Sequence, residues 1–168
     1  SSRTKVRYRW YGDSVYPDVG ALEVKRKRNY FGWKLHYKVK QKIYDENDSW
    51  LKIRKKIRKY LTQEGRLWFE SNPFPILINR YYRHYFVSKD NKVRITVDTE
   101  QAVWDQRYKS KPNIKHHANL QRSIVVEVKF ARGENDLVSK ILLGLPLRVS
   151  RHSKYINGVR AISGYQRS

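Results

Sequence analysis

The segment "SIVVEVKF" (123–130) alternates. Ile124, Val126, Val128 and Phe130 face one way, and Ser123, Val125, Glu127 and Lys129 the other. A period of two through β-branched and aromatic residues predicts a strand with one apolar face. "ALEVKRK" (21–27) repeats the arrangement, with Leu22 and Val24 opposite Glu23, Lys25 and Lys27. Two strands therefore carry Glu-x-Lys on the polar side. Working outward, "TKVRYRWY" (4–11) sets Lys5, Arg7 and Arg9 against Val6, Tyr8 and Trp10. "WKLHYKV" (33–39) sets Lys34, His36 and Lys38 against Trp33, Leu35, Tyr37 and Val39, and the turn at 29–32 makes it a hairpin with the strand before it. "PILINRYYRHYFV" (75–87) predicts a long strand with Leu77, Asn79, Tyr81, Arg83 and Tyr85 on one face. After the turn "SKDNK", "KVRITVDT" (92–99) places Lys92, Arg94, Thr96 and Asp98 opposite Val93, Ile95 and Val97.

The period changes at 48–64, "DSWLKIRKKIRKYLTQE". Trp50, Ile53, Ile57, Tyr60 and Leu61 form a helical stripe, Asp48 or Ser49 supplies a cap, and Gly65 a stop. Such a basic amphipathic helix either lies on a membrane or partner, or packs by its stripe with its cations in water. A second helix is expected over 134–146, stopped by Gly144 and Pro146, and one more helical turn in the tail. The pair His116–His117 sits in a polar loop and reads as solvent-facing rather than as a metal ligand.

Composition limits the partners. Lys and Arg number 37 against 15 acidic residues, a net charge of +22, while aromatics reach 14% with 13 tyrosines. That aromatic content argues against disorder. The charge calls for a polyanion: nucleic acid, an anionic membrane or phosphate-rich molecules. The absence of Cys excludes disulfides and thiolate metal sites. No apolar run approaches a membrane span and the N-terminus lacks a signal-peptide core, so a cytoplasmic location is expected. The chain begins without Met, so a fragment of a longer protein is expected.

At least five strands put cations on every second residue. Like charges on neighbouring strands destabilise a sheet unless an anion sits among them. An antiparallel sheet closed into a barrel, with the charged face inward and helices covering the apolar outside, uses this pattern directly. The fold class expected is therefore α+β, an antiparallel β tunnel with a basic lumen in one domain over 1–168. In such a lumen Glu127 can hold a divalent cation that bridges phosphate oxygens, with Lys129 on a neighbouring oxygen. Alternatively, each Glu-x-Lys only balances local charge.

Six segments, "KVRYRWYGD", "LEVKRKRN", "YYRHYF", "VRITVDTE", "VVEVKF" and "SKYINGV", occur in the order and rough spacing of the VTC domain. The chain thus resembles the polyphosphate polymerase domain of the triphosphate tunnel metalloenzyme superfamily over nearly its whole length. The resemblance implies a basic tunnel for ATP or polyphosphate and phosphoryl transfer with a divalent metal, Mn2+ or Mg2+. It implies phosphate ligands at Lys5, Arg7, Arg9, Lys25, Lys27, Arg83, Arg94, Lys129, Ser153 and Lys154, with Glu127 on the metal. Glu127, Lys129 and Arg94 would carry the chemistry. The superfamily has an upstream strand that this chain does not match, so an N-terminally incomplete domain is expected. Other readings are a polyphosphate-binding module without catalysis, an inorganic triphosphatase, and a nucleic-acid binder. The last is suggested by the basic-aromatic mix of "RYRWY" but unsupported by any recognition motif.

Overall fold

The computed structural model describes residues 2–29, 31–120, 123–130, 139–140, 143–144 and 152–164. The chain divides into two compact units, residues 1–76 with 106–114, and residues 77–105 with 115–168. The architecture is mixed α+β, with two antiparallel sheets and, among the described residues, three helices.

The first unit is built on a sheet ordered β1-β2-β3, with β1 Ser2–Arg9, β2 Gly20–Arg28 and β3 Phe31–Val39. The register aligns Val6 with Val24 and Leu35, and Tyr8 with Leu22 and Tyr37, so the alternating apolar residues share one face. Two helices supply the cover, α1 (Trp50–Arg58) and α2 (Gln63–Glu70). Ile53 and Ile57 of α1 and Phe69 of α2 join Leu22, Val39, Ile43, Tyr44 and Leu61 in one buried cluster. The stripe of the basic helix is therefore core, and its cations face outward.

The single helix expected over 48–64 is in fact two. Ser49 caps α1, its hydroxyl accepting from the Lys52 amide at 3.3 Å. After Arg58 the chain turns, and Thr62 takes an extended conformation and caps α2 by accepting from the Gly65 amide at 3.3 Å. Gly65 thus lies in the first turn of a new helix instead of ending the old one. A Cβ there would fall 2.6 Å from the Tyr37 ring, which would have to shift to admit it. Arg54 ties the two helices together by donating to the carbonyls of Asn72 and Phe69 at 3.0 and 2.9 Å.

The second unit is organised around β5 (Val93–Asp105), which is longer than the strand expected over 92–99. β4 (Leu77–Val87) pairs along one side of it. On the other side, β6 (His117–Ala118) pairs with Val103 and Trp104, and β7 (Val125–Phe130) pairs with residues 93–98. The segment read as a polar loop therefore contributes a two-residue strand. His116 and His117 are exposed there, the latter with its ring against Trp104. α3 (Lys154–Ile162) is a longer helix than the single turn expected of the tail. Gly158 lets it lie close on the sheet, since a Cβ would meet Leu77 at 3.0 Å and Val103 at 3.4 Å. The helix expected over 134–146 falls largely outside the described residues.

Between the Arg80–Ala102 and Tyr82–Thr99 pairs, one residue of β4 opposes two of β5, a β-bulge that places Glu100 at φ 48°. Glycine is the residue suited to that left-handed position. Glu100 is exposed, so replacing it removes no packing. Glu100→Gly is expected to stabilise the fold by up to about 1 kcal/mol, read as a higher urea midpoint at unchanged m-value. A lower midpoint would mean that the glutamate side chain contributes more than its strained backbone costs.

Candidate functional site

Each unit carries a cationic sheet face organised by a buried carboxylate. In the first unit, the face opposite the core aligns Lys5, Lys25 and Lys34 across three strands. The next rows are Arg7, Glu23 and His36, then Arg9, Ala21 and Lys38, with Arg3, Lys27 and Gly32 on the other side. Lys5, Arg7, Arg9, Lys25 and Lys27, the expected phosphate ligands of this half, therefore do share one surface. Glu23 lies at its centre and is only 3% exposed. Its carboxylate accepts from Arg7 Nε at 2.6 Å and Lys34 Nζ at 2.8 Å. Burial opposes its charge, but the Lys34 and Arg7 hydrogen bonds win and hold its carboxyl at about 2. Burial, together with the nearby Arg7 and Lys34 cations, pushes Lys25 below the usual lysine range.

Glu23 in this half serves charge balance. Its partners are Arg7 and Lys34, on either side, instead of Lys25 two residues on. Lys34 was missed as a site residue because only the three-strand register brings it beside Glu23. The alternation that put it on the polar face was the available signal.

In the second unit, Arg83 of β4, Arg94, Thr96 and Asp98 of β5, and Glu127 and Lys129 of β7 all point to one face. The register sets Arg94 opposite Lys129, Thr96 opposite Glu127, and Asp98 opposite Arg83. Asp98 has no solvent exposure. Arg83 grips it with two bonds, Nε to Oδ1 at 2.5 Å and Nη2 to Oδ2 at 2.7 Å, and Lys154 of α3 forms an ion pair with Oδ2. Desolvation of Asp98 is outweighed by these partners, so its carboxyl sits below the usual range, while its bond raises Arg83 above that of arginine. The Tyr81 ring lies under both cations, 5.2 Å from Arg83 and 4.8 Å from Lys154. Ser153 caps α3, its hydroxyl accepting from the Ile156 amide at 3.4 Å. Six expected residues, Arg83, Arg94, Glu127, Lys129, Ser153 and Lys154, thus belong to one unit. Asp98, unassigned by the sequence reading, is what holds two of them.

Glu127 differs from both buried acids. Its side chain is 47% exposed, and its carboxylate lies 3.4 Å from Lys129 Nζ. Among the described residues, no group of three or more His, Asp or Glu could hold a metal ion. A resident metal cage is not what these residues make. One exposed carboxylate suits a divalent cation whose other ligands are phosphate oxygens and water, the usual habit of Mg2+.

The sequence model of the VTC domain family matches residues 1–163. The chain belongs to the VTC domain family. No curated protein and no solved structure matches it. VTC membership points to a polyphosphate-related function, and both cationic faces of this VTC domain suit a ligand of that chemistry. No helix among the described residues is long and apolar enough to cross a membrane.

Two outcomes follow for the buried acids. Glu23 binds its proton more weakly folded than unfolded, so its stabilisation is complete above pH 4.5 and is lost as pH falls toward about 2. Melting temperature followed from pH 6 to pH 2 is expected to drop over that window in the wild type and less steeply in Glu23→Gln. Asp98→Asn keeps one acceptor oxygen but removes the negative charge that offsets the mostly buried Arg83 and Lys154. It is expected to lower stability by roughly 2–4 kcal/mol in urea denaturation, a larger loss than a surface ion pair gives.

Proposed function

We propose that this VTC domain binds ATP or a polyphosphate chain on its cationic faces and transfers a phosphoryl group, extending polyphosphate. The observation that carries the reading is the grouping of Arg83, Arg94, Glu127 and Lys129 on one face of the second unit, with Asp98 fixing Arg83 and Lys154. The reading includes the closed antiparallel barrel and basic lumen expected from the sequence.

Phosphoryl transfer asks little covalent chemistry of a protein. It needs the donor held in line with the acceptor and the charge on the moving group offset. Arg83 and Lys154, held by Asp98 and Tyr81, would bind phosphate oxygens in fixed positions. Arg94 and Lys129, side by side on adjacent strands, would take the oxygens of the reacting phosphate. Ser153, at the start of α3, would present backbone amides to the same phosphates. Lys5, Arg7, Arg9, Lys25 and Lys27, on the first unit's own face, would bind phosphate oxygens there. Glu127 would hold a divalent cation, Mn2+ or Mg2+, through one carboxylate. Bound there, the cation would supply electrostatic relief between phosphate oxygens. The acceptor is the terminal phosphate of the chain; with water in its place the same face would act as a triphosphatase.

The reading is tested by tripolyphosphate binding at physiological salt, with and without Mn2+, against single-stranded RNA of greater total charge. Mn2+ is expected to tighten binding about tenfold or more, and RNA is expected not to displace the ligand. Glu127→Gln is expected to abolish the Mn2+ effect and ATP-dependent polyphosphate formation while leaving metal-free binding equal or tighter. Ready displacement by RNA, with no metal effect and a steep salt dependence, would sink the reading and leave an open basic surface.

A further inference from the structure

One polar atom on the second unit's cationic face has nothing to bond. The Thr96 hydroxyl is fully buried and lacks a hydrogen-bond partner, in a residue only 5% exposed. A buried hydroxyl left unpaired is costly, and such groups in native proteins call for an explanation. Val has nearly the same shape and carries no hydroxyl to leave unpaired. The position decides what the hydroxyl is for. Thr96 lies between Arg94 and Asp98 along β5 and directly across from Glu127 on β7 and Tyr85 on β4. Asp98 is already engaged by Arg83 and Lys154. Tyr85 and the Glu127 carboxylate are both largely exposed, and of the two only the carboxylate is a charged acceptor.

We propose that Thr96 is a positioning residue for Glu127. This rests on the reading of Glu127 as the carboxylate that meets the phosphate-borne cation. In the unliganded protein Glu127 leans toward Lys129. When a phosphate oxygen takes Lys129, the Glu127 carboxylate is released to accept the Thr96 hydroxyl proton in a hydrogen bond through one oxygen. The other oxygen then faces the cation. Carboxylates that ligate metals are themselves hydrogen-bonded in this way, and loss of the supporting bond typically weakens metal binding 10–100-fold. The hydroxyl is thus unpaired in one state because its partner arrives in the other.

Thr96→Val keeps the branched shape and removes only the hydroxyl. Its expected signature is a melting temperature equal to or above wild type, unchanged tripolyphosphate affinity without metal, and a roughly tenfold smaller tightening by Mn2+. Thr96→Ser is expected to retain the tightening. In a Glu127→Gln background, Thr96→Val is expected to add nothing, because the two residues act as one unit. Thr96→Ala carries the same binding expectations, with a lower melting temperature from the lost methyl group, should the valine not fit. An undiminished Mn2+ effect in Thr96→Val overturns the inference and leaves the function standing. Equal losses with and without metal also overturn it, since the hydroxyl would then touch phosphate itself. A wild type whose affinity ignores Mn2+ removes the reading of Glu127, and the inference with it.

Discussion

Rows of cations on neighbouring strands repel, and the fold of each unit depends on a buried carboxylate that makes this tolerable. Lys5, Lys25 and Lys34 line up across three strands, and Arg94 faces Lys129 across two. Such pairings destabilise a sheet. On the same faces Glu23 takes Arg7 and Lys34, and Asp98 takes Arg83 and Lys154, so each buried acid offsets two cations of its face. Neither acid neutralises its face. Each lets two cations lie at fixed points while the surplus charge remains. A face organised before its ligand arrives loses less side-chain freedom on binding. In the proposed phosphoryl transfer it would also keep the donors aimed where charge develops.

The same constraint determines where the apolar residues go. With one face of β1, β2 and β3 mostly cationic, Val6, Tyr8, Leu22, Val24, Leu35, Tyr37 and Val39 lie on the other, and α1 and α2 cover it. The six cations between Lys52 and Lys59 thus lie on the outer side of a packed layer. In the second unit, α3 lies against residues of β4 and β5, with Gly158 near Leu77 and Val103, and its first residue completes the Asp98 cluster. Helix packing and charge pairing there are one arrangement: moving α3 away from the sheet would also remove Lys154 from Asp98.

What could be read in advance follows from the range of the interactions. Alternation is local, so the strands, their polar faces and the shared face of Lys5, Arg7, Arg9, Lys25 and Lys27 were legible. The break between α1 and α2 was not, because it depends on Thr62 starting a new helix and sharing a hydrogen bond with Tyr37, 25 residues earlier. β6 was hidden in a polar segment whose strand character comes only from its partner. Asp98 was seen as one polar residue among several. Its importance lies in burial and in partners 15 and 56 positions away, which no local pattern reports.

The two Glu-x-Lys segments show how far a motif determines a role. Glu23 with Lys25 and Glu127 with Lys129 have the same spacing, strand setting and alternation. Glu23 is on the middle strand, enclosed by Arg7 and Lys34, and its charge is consumed within the sheet. Glu127 is on β7, opposite a threonine, with exposed Lys129 as its neighbour at 3.4 Å. A carboxylate with two close cations has little left to offer a third; one with a single, loosely held neighbour does. Cross-strand environment, rather than sequence spacing, therefore separates a structural acid from one available to a ligand.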